Sequence, residues 1–349
     1  MEKVCCPNCF TEKNIARFIN EKGSFRGSCN YCESENINTI NPKLVFDFIE
    51  KFDFGLESGE TGLSLFEILE NKIYFFEDQV IDKYVLFKDI ILDHLEILEK
   101  KYIIPDSKDI QLGWEAFSEE IKTKNRFFPQ TELYKQIFTS VEESDNPKAN
   151  VFNVLVESLT KTYSDTRSFF RARVNDSKLT IKDMKAPPSL SVTAGRANPI
   201  GIPYLYLAEN EKTCVAEVRP SNGCLVNLAA FRLKAGLSIL DLTCPRKKAS
   251  FLIQESESLT DTLIYVDLLE IFANELSKPV LPNRSHLDYI PTQFLCEYFK
   301  TICGFHGLIF NSSFGSGINL VLFDQDLVDD VSIKYITVSN IEHTFSELK

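Results

Sequence analysis

The sequence predicts an α+β protein in which a small metal-binding ribbon and a helical module precede a mixed C-terminal domain. Three observations predict it. Two Cys-x2-Cys pairs lie at the N-terminus, apolar residues then recur three and four apart, and beyond residue 167 short β-branched runs alternate with helical stretches. The implied boundaries are residues 1–40 for the ribbon, 41–160 for the helical module and 161–349 for the C-terminal domain.

Bulk properties narrow the class. At 349 residues the chain is longer than one compact domain usually runs, so two domains, or one with a large extension, are expected. A net charge of −12 argues against sequence-independent binding of duplex nucleic acid, which needs Lys and Arg to neutralise phosphates. Small molecules or other proteins are the expected partners. The start is not a basic segment followed by an apolar run, and apolar stretches stay short of the roughly 18 residues of a membrane span, so a cytoplasmic protein is expected. Ten cysteines, four of them in two close pairs, fit a metal site in a reducing compartment better than a disulfide scaffold.

The ribbon reads Cys6-Pro-Asn-Cys9, nineteen residues, then Cys29-Asn-Tyr-Cys32. Each knuckle presents two sulfurs to one ion, so Cys6, Cys9, Cys29 and Cys32 are the expected ligands of a structural zinc, with Cys5 a competitor for the register. Four sulfurs leave no open coordination position, so the role expected of the ribbon is structural or partner-binding. From residue 42 the segments LVFDFIEKF, GLSLFEILENKI and YVLFKDIILDHLEILEKKY have the spacing of amphipathic helices. Ile90, Ile91, Leu95 and Leu98 are expected on one face of the last, with His94 at its surface. Trp114, Phe117 and Ile121 continue on another helix, followed by Arg126-Phe127-Phe128-Pro129. The polar run 141–150 carries an Asp-Asn-Pro turn and reads as a linker, and a helix is expected over 151–162.

In the C-terminal part, PYLYLA, CLVNLAAFRL, SILDLT, GLIFN and INLVLFD read as strands, and SLTDTLIYVDLLEIFANELS and YIPTQFLCEYFKTIC as helices. Arg171 and Arg173 alternate along a strand, and Arg196 lies in the turn-forming run Ala-Gly-Arg-Ala-Asn-Pro. Convergent guanidinium groups with backbone donors from Gly195 and Gly201 would suit a pyrophosphate, and surface ion pairs would explain the same arginines. Tyr204 and Tyr206 share one side of a strand. Glu217 follows among Cys214, Val215, Ala216 and Val218, where a carboxylate is either functional or paired with Arg219 or Lys212. Ser312, Ser313 and Asn319 flank a strand end, where they can bond a ligand or build a turn. A hydrolase triad, a Walker A loop and a G-x-G-x-x-G loop are all unsupported.

These pieces together resemble a known family. Arg171-Ala-Arg173, Gly195-Arg196-Ala-Asn198-Pro-Ile-Gly-Ile-Pro-Tyr-Leu-Tyr206-Leu-Ala, Ala216-Glu217-Val-Arg-Pro, Thr292-Gln293, Gly307-Leu-Ile-Phe-Asn-Ser312-Ser313 and Asn319-Leu-Val-Leu-Phe are similar to the RES domain over roughly 167–326. The first half resembles the zinc-knuckle and helical extension found ahead of such domains, related by name to HEPN domains. It lacks an Arg followed four to six residues later by His, so HEPN-type ribonuclease activity is not expected.

The resemblance implies an ADP-ribosyltransferase-like fold and an enzyme that cleaves the nicotinamide–ribose bond of NAD by phosphorolysis or hydrolysis, as toxins or defence effectors do. It implies catalytic roles for Arg171, Tyr206, Glu217 and Ser312, and ligand contacts for Arg173, Arg196, Asn198, Ser313 and Asn319. Asn311 stands where the family commonly has Pro before its motif serine, so Ser312 or Ser313 fills that position. An antitoxin or regulatory protein, a homo-oligomer and phosphate as co-substrate are further implied. The other readings are a mono-ADP-ribosyltransferase acting on a macromolecule and a nucleotide-sensing binding module.

Overall fold

The computed structural model describes residues 3–23, 25–104, 106–138, 147–163, 167–252, 259–278 and 285–341. In chain order come α1 (Lys13–Lys22), β1 (Phe25–Gly27), β2 (Ile37–Thr39), α2 (Phe46–Phe54), β3 (Glu57–Gly59), α3 (Leu65–Asn71), α4 (Lys83–Ile90), β4 (Lys101–Ile103), α5 (Ser107–Thr123) and α6 (Pro147–Ser158). There follow β5 (Thr160–Tyr163), β6 (Ser168–Val174), β7 (Leu205–Ala208), α7 (Glu211–Glu217), β8 (Leu225–Leu233), β9 (Leu237–Asp241) and α8 (Pro245–Lys248). The last elements are α9 (Leu259–Ser277), α10 (Ser285–Asp288), α11 (Ile290–Thr301), β10 (Gly307–Asn311), β11 (Ile318–Leu322) and β12 (Val328–Thr337). This is the expected α+β composition. Among the described residues, none of the helices is long and apolar enough to cross a membrane.

The chain forms two compact units. The first comprises Met1–Phe117, Gln130–Leu159 and Cys244–Ile271, and the second Ser118–Pro129, Thr160–Thr243 and Phe272–Lys349. The stretch 244–271, which the sequence groups with the C-terminal domain, therefore belongs to the first unit. Two buried polar side chains hold it there. Arg246 donates to the Lys72 carbonyl at 2.7 Å and pairs with Glu270 and Asp267, while Glu12 accepts from Ser250 Oγ at 2.8 Å and Phe251 N–H at 3.1 Å. Likewise 118–129 belongs to the second unit, where Lys122 reaches Asp288 at 3.3 Å.

In the first unit β1 and β2 pair antiparallel, and Cys5 bridges Ile40 beside them. Phe10, Phe52, Phe75 and Phe76 form an edge-on aromatic core, with Phe75 and Phe76 rings 4.9 Å apart. The expected helix through 84–102 is interrupted: α4 stops at Ile90, a short 3-10 turn covers Leu95–Glu99, and β4 takes Lys101–Ile103. Ladder pairing decides this. Tyr102, fully buried, pairs Ser58 in β3 and bridges Leu63, which outweighs local helix propensity. Leu95 is 47% exposed while Ile90 and Ile91 are buried, so they do not share one face, and His94 stacks on Phe46 with centroids 3.8 Å apart. The helix expected over 151–162 instead begins at Pro147, a residue tolerated in a first helical turn, and ends at Ser158 so that Thr160–Tyr163 can pair with β9. Of the linker expected over 141–150, residues 141–146 lie outside the described residues.

The second unit is built on an eight-stranded sheet in the order β12-β8-β6-β7-β11-β10-β9-β5, in which β9 and β10 pair parallel and every other neighbour antiparallel. Alternating side chains feed two apolar clusters. Phe169, Leu205, Leu207 and Phe231 join one, and Ala172, Ala208, Cys214 and Leu228 the other. β6 is held along its length by β8, yet it meets β7 at the single pair Phe170–Ala208. The sheet is open at that point.

Candidate active site

The gap between β6 and β7 forms a cavity of about 250 Å³. Residues 170–172 of β6 line one wall and 206–208 of β7 the other, α7 contributes Cys214, Glu217 and Val218, and Asn319 of β11 completes it. The cause is the broken ladder: two strands that share one pair leave room between their backbones for a ligand. Most of the lining is apolar, so each polar group in it is accountable.

Glu217 ends α7, where the helix dipole disfavours a carboxylate. Its Oε1 is held in compensation by two donors, Ser312 Oγ at 2.5 Å and Asn319 Nδ2 at 2.7 Å. Oε2 has no hydrogen-bond partner among the described residues. The serine is itself fixed, since Ser312 Oγ accepts the Phe314 N–H at 3.1 Å and its own N–H donates to the Gly317 carbonyl at 3.0 Å. At the other end of α7, Asn210 caps Thr213 N–H at 2.8 Å. Gly317 lies so close to this cap that a Cβ there would fall 2.1 Å from Thr213 Oγ1, which is why glycine occupies the β10–β11 turn.

Arg171 Nη1 donates to the Tyr206 carbonyl at 3.1 Å, so the side chain spans the two strands where the ladder fails. Its Nε is buried with no partner among the described residues. Burial pushes the guanidinium down to about 10, and the neighbouring Arg173 charge adds to this. An orphan donor on a buried cation carries a desolvation cost that an anionic ligand would offset. Cys214, one turn before Glu217 on α7, is in the electrostatic reach of both Arg171 and Glu217, and burial pushes its thiol up to about 12, so it lines the cavity as a neutral group. Cys214 also belongs to the apolar cluster with Ala172, Ala208 and Leu228. The i, i+3 spacing from Glu217 is the signal that puts it on the cavity face.

The other predicted residues build the loop over 193–202. Tyr206 lends its ring to the cavity, but its hydroxyl donates to Asn198 Oδ1 at 2.7 Å and accepts the Ala197 N–H at 3.1 Å, and burial raises its pKa. Asn198 is buried and donates to the carbonyls of Thr193, Pro199 and Ile202 within 3.1 Å. Thr292 and Gln293 pin the same loop through the carbonyls of Arg196, Gly195 and Asn198. A Cβ on Gly195 would lie 2.6 Å from both Asn198 Oδ1 and the Tyr206 hydroxyl, so the loop closes only around glycine. Arg196 donates to the Leu276 carbonyl at 2.8 Å and to Ser313 Oγ at 3.3 Å, and Ser313 donates to the Ser277 carbonyl. Arg173 donates to the Lys185 carbonyl at 2.7 Å, and burial lowers its pKa. The structure thus brings Arg171, Tyr206, Glu217, Ser312 and Asn319 together, and directs Arg173, Arg196, Asn198 and Ser313 to backbone carbonyls.

In the first unit, the sulfurs of Cys6, Cys9, Cys29 and Cys32 all lie within 4.8 Å of one another, with Cys6–Cys32 and Cys9–Cys29 at 3.4 Å and Cys6–Cys9 at 4.0 Å. Four thiolates about 2.3 Å from a central ion would be spaced about 3.8 Å apart, so the set fits a tetrahedral metal. The Tyr31 N–H donates to Cys29 Sγ at 3.4 Å, the kind of outer contact that stabilises a thiolate. Cys5, whose backbone pairs with Ile40, is not in the set.

Residues 169–341 match the family model of the RES domain. Among solved structures the chain is similar to one from the M. tuberculosis MbcT–MbcA toxin–antitoxin complex, at 13% identity and a TM-score of 0.33, over 55% of this chain and 93% of that one. No curated protein sequence matches the chain.

Proposed function

We propose that the chain, whose residues 169–341 match the RES-domain family model, is an NAD-degrading enzyme that cleaves the nicotinamide–ribose bond in the β6–β7 cavity. The observation that carries this reading is the state of Glu217: Oε1 is fixed by Ser312 and Asn319, and Oε2 is left free beside an apolar cavity that also holds the orphan donor of Arg171.

In NAD the nicotinamide is a cationic pyridinium ring, and cleavage of its bond to the ribose carbon returns the electron pair to its nitrogen, so it leaves as a neutral molecule and the step needs no proton donor. The barrier comes from oxocarbenium-like charge at the ribose, and a carboxylate oriented before the reaction stabilises that charge without reorganising. Glu217 Oε2 is the group that does this and that takes the ribose hydroxyls. Ser312 and Asn319 act through Glu217, as positioning residues, since the serine hydroxyl already donates to the carboxylate. The Tyr206 ring and Ala172, Ala208 and Val218 keep water from the reacting carbon. Arg171 answers the anionic part of the ligand. The nucleophile is phosphate or water.

The proposed role of such turnover is NAD depletion by a toxin or defence effector, restrained by an antitoxin or regulatory protein. In the first unit, the four-cysteine set is proposed to hold one structural zinc. The deciding experiment is incubation of the purified chain with NAD, with and without inorganic phosphate. Free nicotinamide with ADP-ribose or its 1″-phosphate supports the proposal and identifies the nucleophile. Modified macromolecule would instead make the chain a transferase, and unchanged NAD would leave a binding module.

A further inference from the structure

Arg219 lies two residues beyond Glu217 and takes no part in the steps above. Its backbone is left-handed, with φ 44°, a conformation costly for a residue with a Cβ and ordinarily given to glycine just past a helix. Its N–H donates to the Ala216 carbonyl at 3.2 Å, so it closes α7 where glycine would serve with less strain. Strain kept one residue beyond Val218, which lines the cavity, points to a use for the side chain. The guanidinium carbon sits 4.3 Å from the centroid of the Phe314 ring, and among the described residues no carboxylate pairs with it. Phe314 is anchored in turn, because its N–H donates to Ser312 Oγ, the hydroxyl that holds Glu217.

The other arginines near the site are committed. Arg173 and Arg196 spend donors on the carbonyls of Lys185 and Leu276, and Arg171 bridges the strands inside the cavity. The cavity, at about 250 Å³, is smaller than the roughly 300–1,000 Å³ that drug-sized ligands occupy. A dinucleotide that inserts its nicotinamide–ribose end can bring only the near part of its pyrophosphate to the orphan donor of Arg171, and the rest needs a further cation; Arg219 follows the lining residue Val218 directly in the chain.

We propose that Arg219, presented by its stack on Phe314, is the phosphate-binding residue at the mouth of the cavity. The proposal rests on the NAD-cleaving reading above. The phosphate has two sources, the dinucleotide's own pyrophosphate and the inorganic phosphate that acts as nucleophile, and the same guanidinium suits either.

The test uses the full chain and the variants Arg219→Ala, Arg219→Lys, Arg219→Gly and Phe314→Leu, assayed for nicotinamide release at varied NAD and varied phosphate. Arg219→Ala is expected to raise KM about tenfold while kcat stays within about threefold. Lysine should restore part of the loss, and Phe314→Leu should give a smaller rise of the same KM. A rise in KM for NAD without phosphate identifies the pyrophosphate; a rise only in KM for phosphate identifies the nucleophile. Arg219→Gly, which relieves the left-handed backbone, should melt at a higher temperature and show the same KM defect, so the test survives if alanine perturbs folding. Unchanged KM for both ligands in the alanine and glycine variants, or a fall in kcat alone, overturns the proposal. If the wild-type chain releases no nicotinamide, the NAD-cleaving reading fails separately. Calorimetric titration with ADP-ribose and with inorganic phosphate then decides, and equal affinity for wild type and Arg219→Ala, or no binding by either, overturns the role of Arg219.

Discussion

Ser312 and Glu217 are 95 residues apart in sequence, and the serine hydroxyl donates to the carboxylate at 2.5 Å while accepting the Phe314 N–H. The serine therefore serves the carboxylate, and its hydroxyl proton is not available to a ligand. Asn319 holds the same oxygen, so both donors converge on Oε1, and Oε2 has no hydrogen-bond partner among the described residues.

Glu217→Gln removes the charge proposed to stabilise the developing cation and is expected to lower nicotinamide release by about 100-fold or more. Thermal unfolding should change little, because the amide oxygen can still accept from Ser312. Near-normal turnover in a steady-state assay would remove Glu217 from the mechanism.

Ser312→Ala leaves the Phe314 N–H without its acceptor and Glu217 with one donor. A loss of about tenfold in kcat with KM nearly unchanged is expected, since a positioning hydrogen bond of this type contributes about 1–1.5 kcal/mol. Ser313→Ala provides the contrast: its hydroxyl bonds the Ser277 carbonyl, so the change should lower stability more than kcat.

Asn198→Ala removes the amide group whose two N–H donors are shared among three backbone carbonyls, and the acceptor of the Tyr206 hydroxyl, at a buried position. A destabilisation of about 3 kcal/mol or more is expected from urea unfolding of the second unit. Gly195→Ala should be comparably damaging, because its Cβ has no space between Asn198 and Tyr206.

Burial raises the pKa of Glu12 above the ordinary value of 4.5, against the bonds from Ser250 and Phe251 that lower it. The folded chain then holds this proton more tightly than the unfolded chain does. The contribution of Glu12 to stability is full below pH 4.5 and is lost as pH rises through the higher folded value. Glu12→Gln is expected to flatten this part of the stability–pH curve of the first unit, measured by denaturant unfolding between pH 4 and 8. An unchanged slope would show that Glu12 is not the titrating group.

Metal analysis of the purified chain should find one zinc per molecule, and Cys29→Ser should lose it and expose the first unit to proteolysis. Retained metal in that variant would point to a different ligand set.

Short-range information was enough for much of this protein. The Cys-x2-Cys spacings name the four sulfurs that come together, the shift from helical to strand patterning marks the α+β order, and the Gly-Arg-Ala-Asn-Pro run with Glu217 marks the cavity's surroundings. Each of these depends on chemistry within a few residues: a knuckle turn, a periodicity, a glycine that alone fits its loop. What the tertiary structure alone decided was which polar groups remain free. Arg171, Arg173, Arg196 and Arg219 are alike as sequence, but their acceptors come from Tyr206, Lys185, Leu276 and the Phe314 ring, and those partners are 12 to 95 residues away. The Tyr102 pairing that interrupts the expected helix and the single β6–β7 pair that opens the cavity are likewise long-range. Hydrogen-bond donors are satisfied by whatever the fold brings near them, so the local sequence determines which groups a site can draw on and only the assembled chain determines which of them are left to bind a ligand.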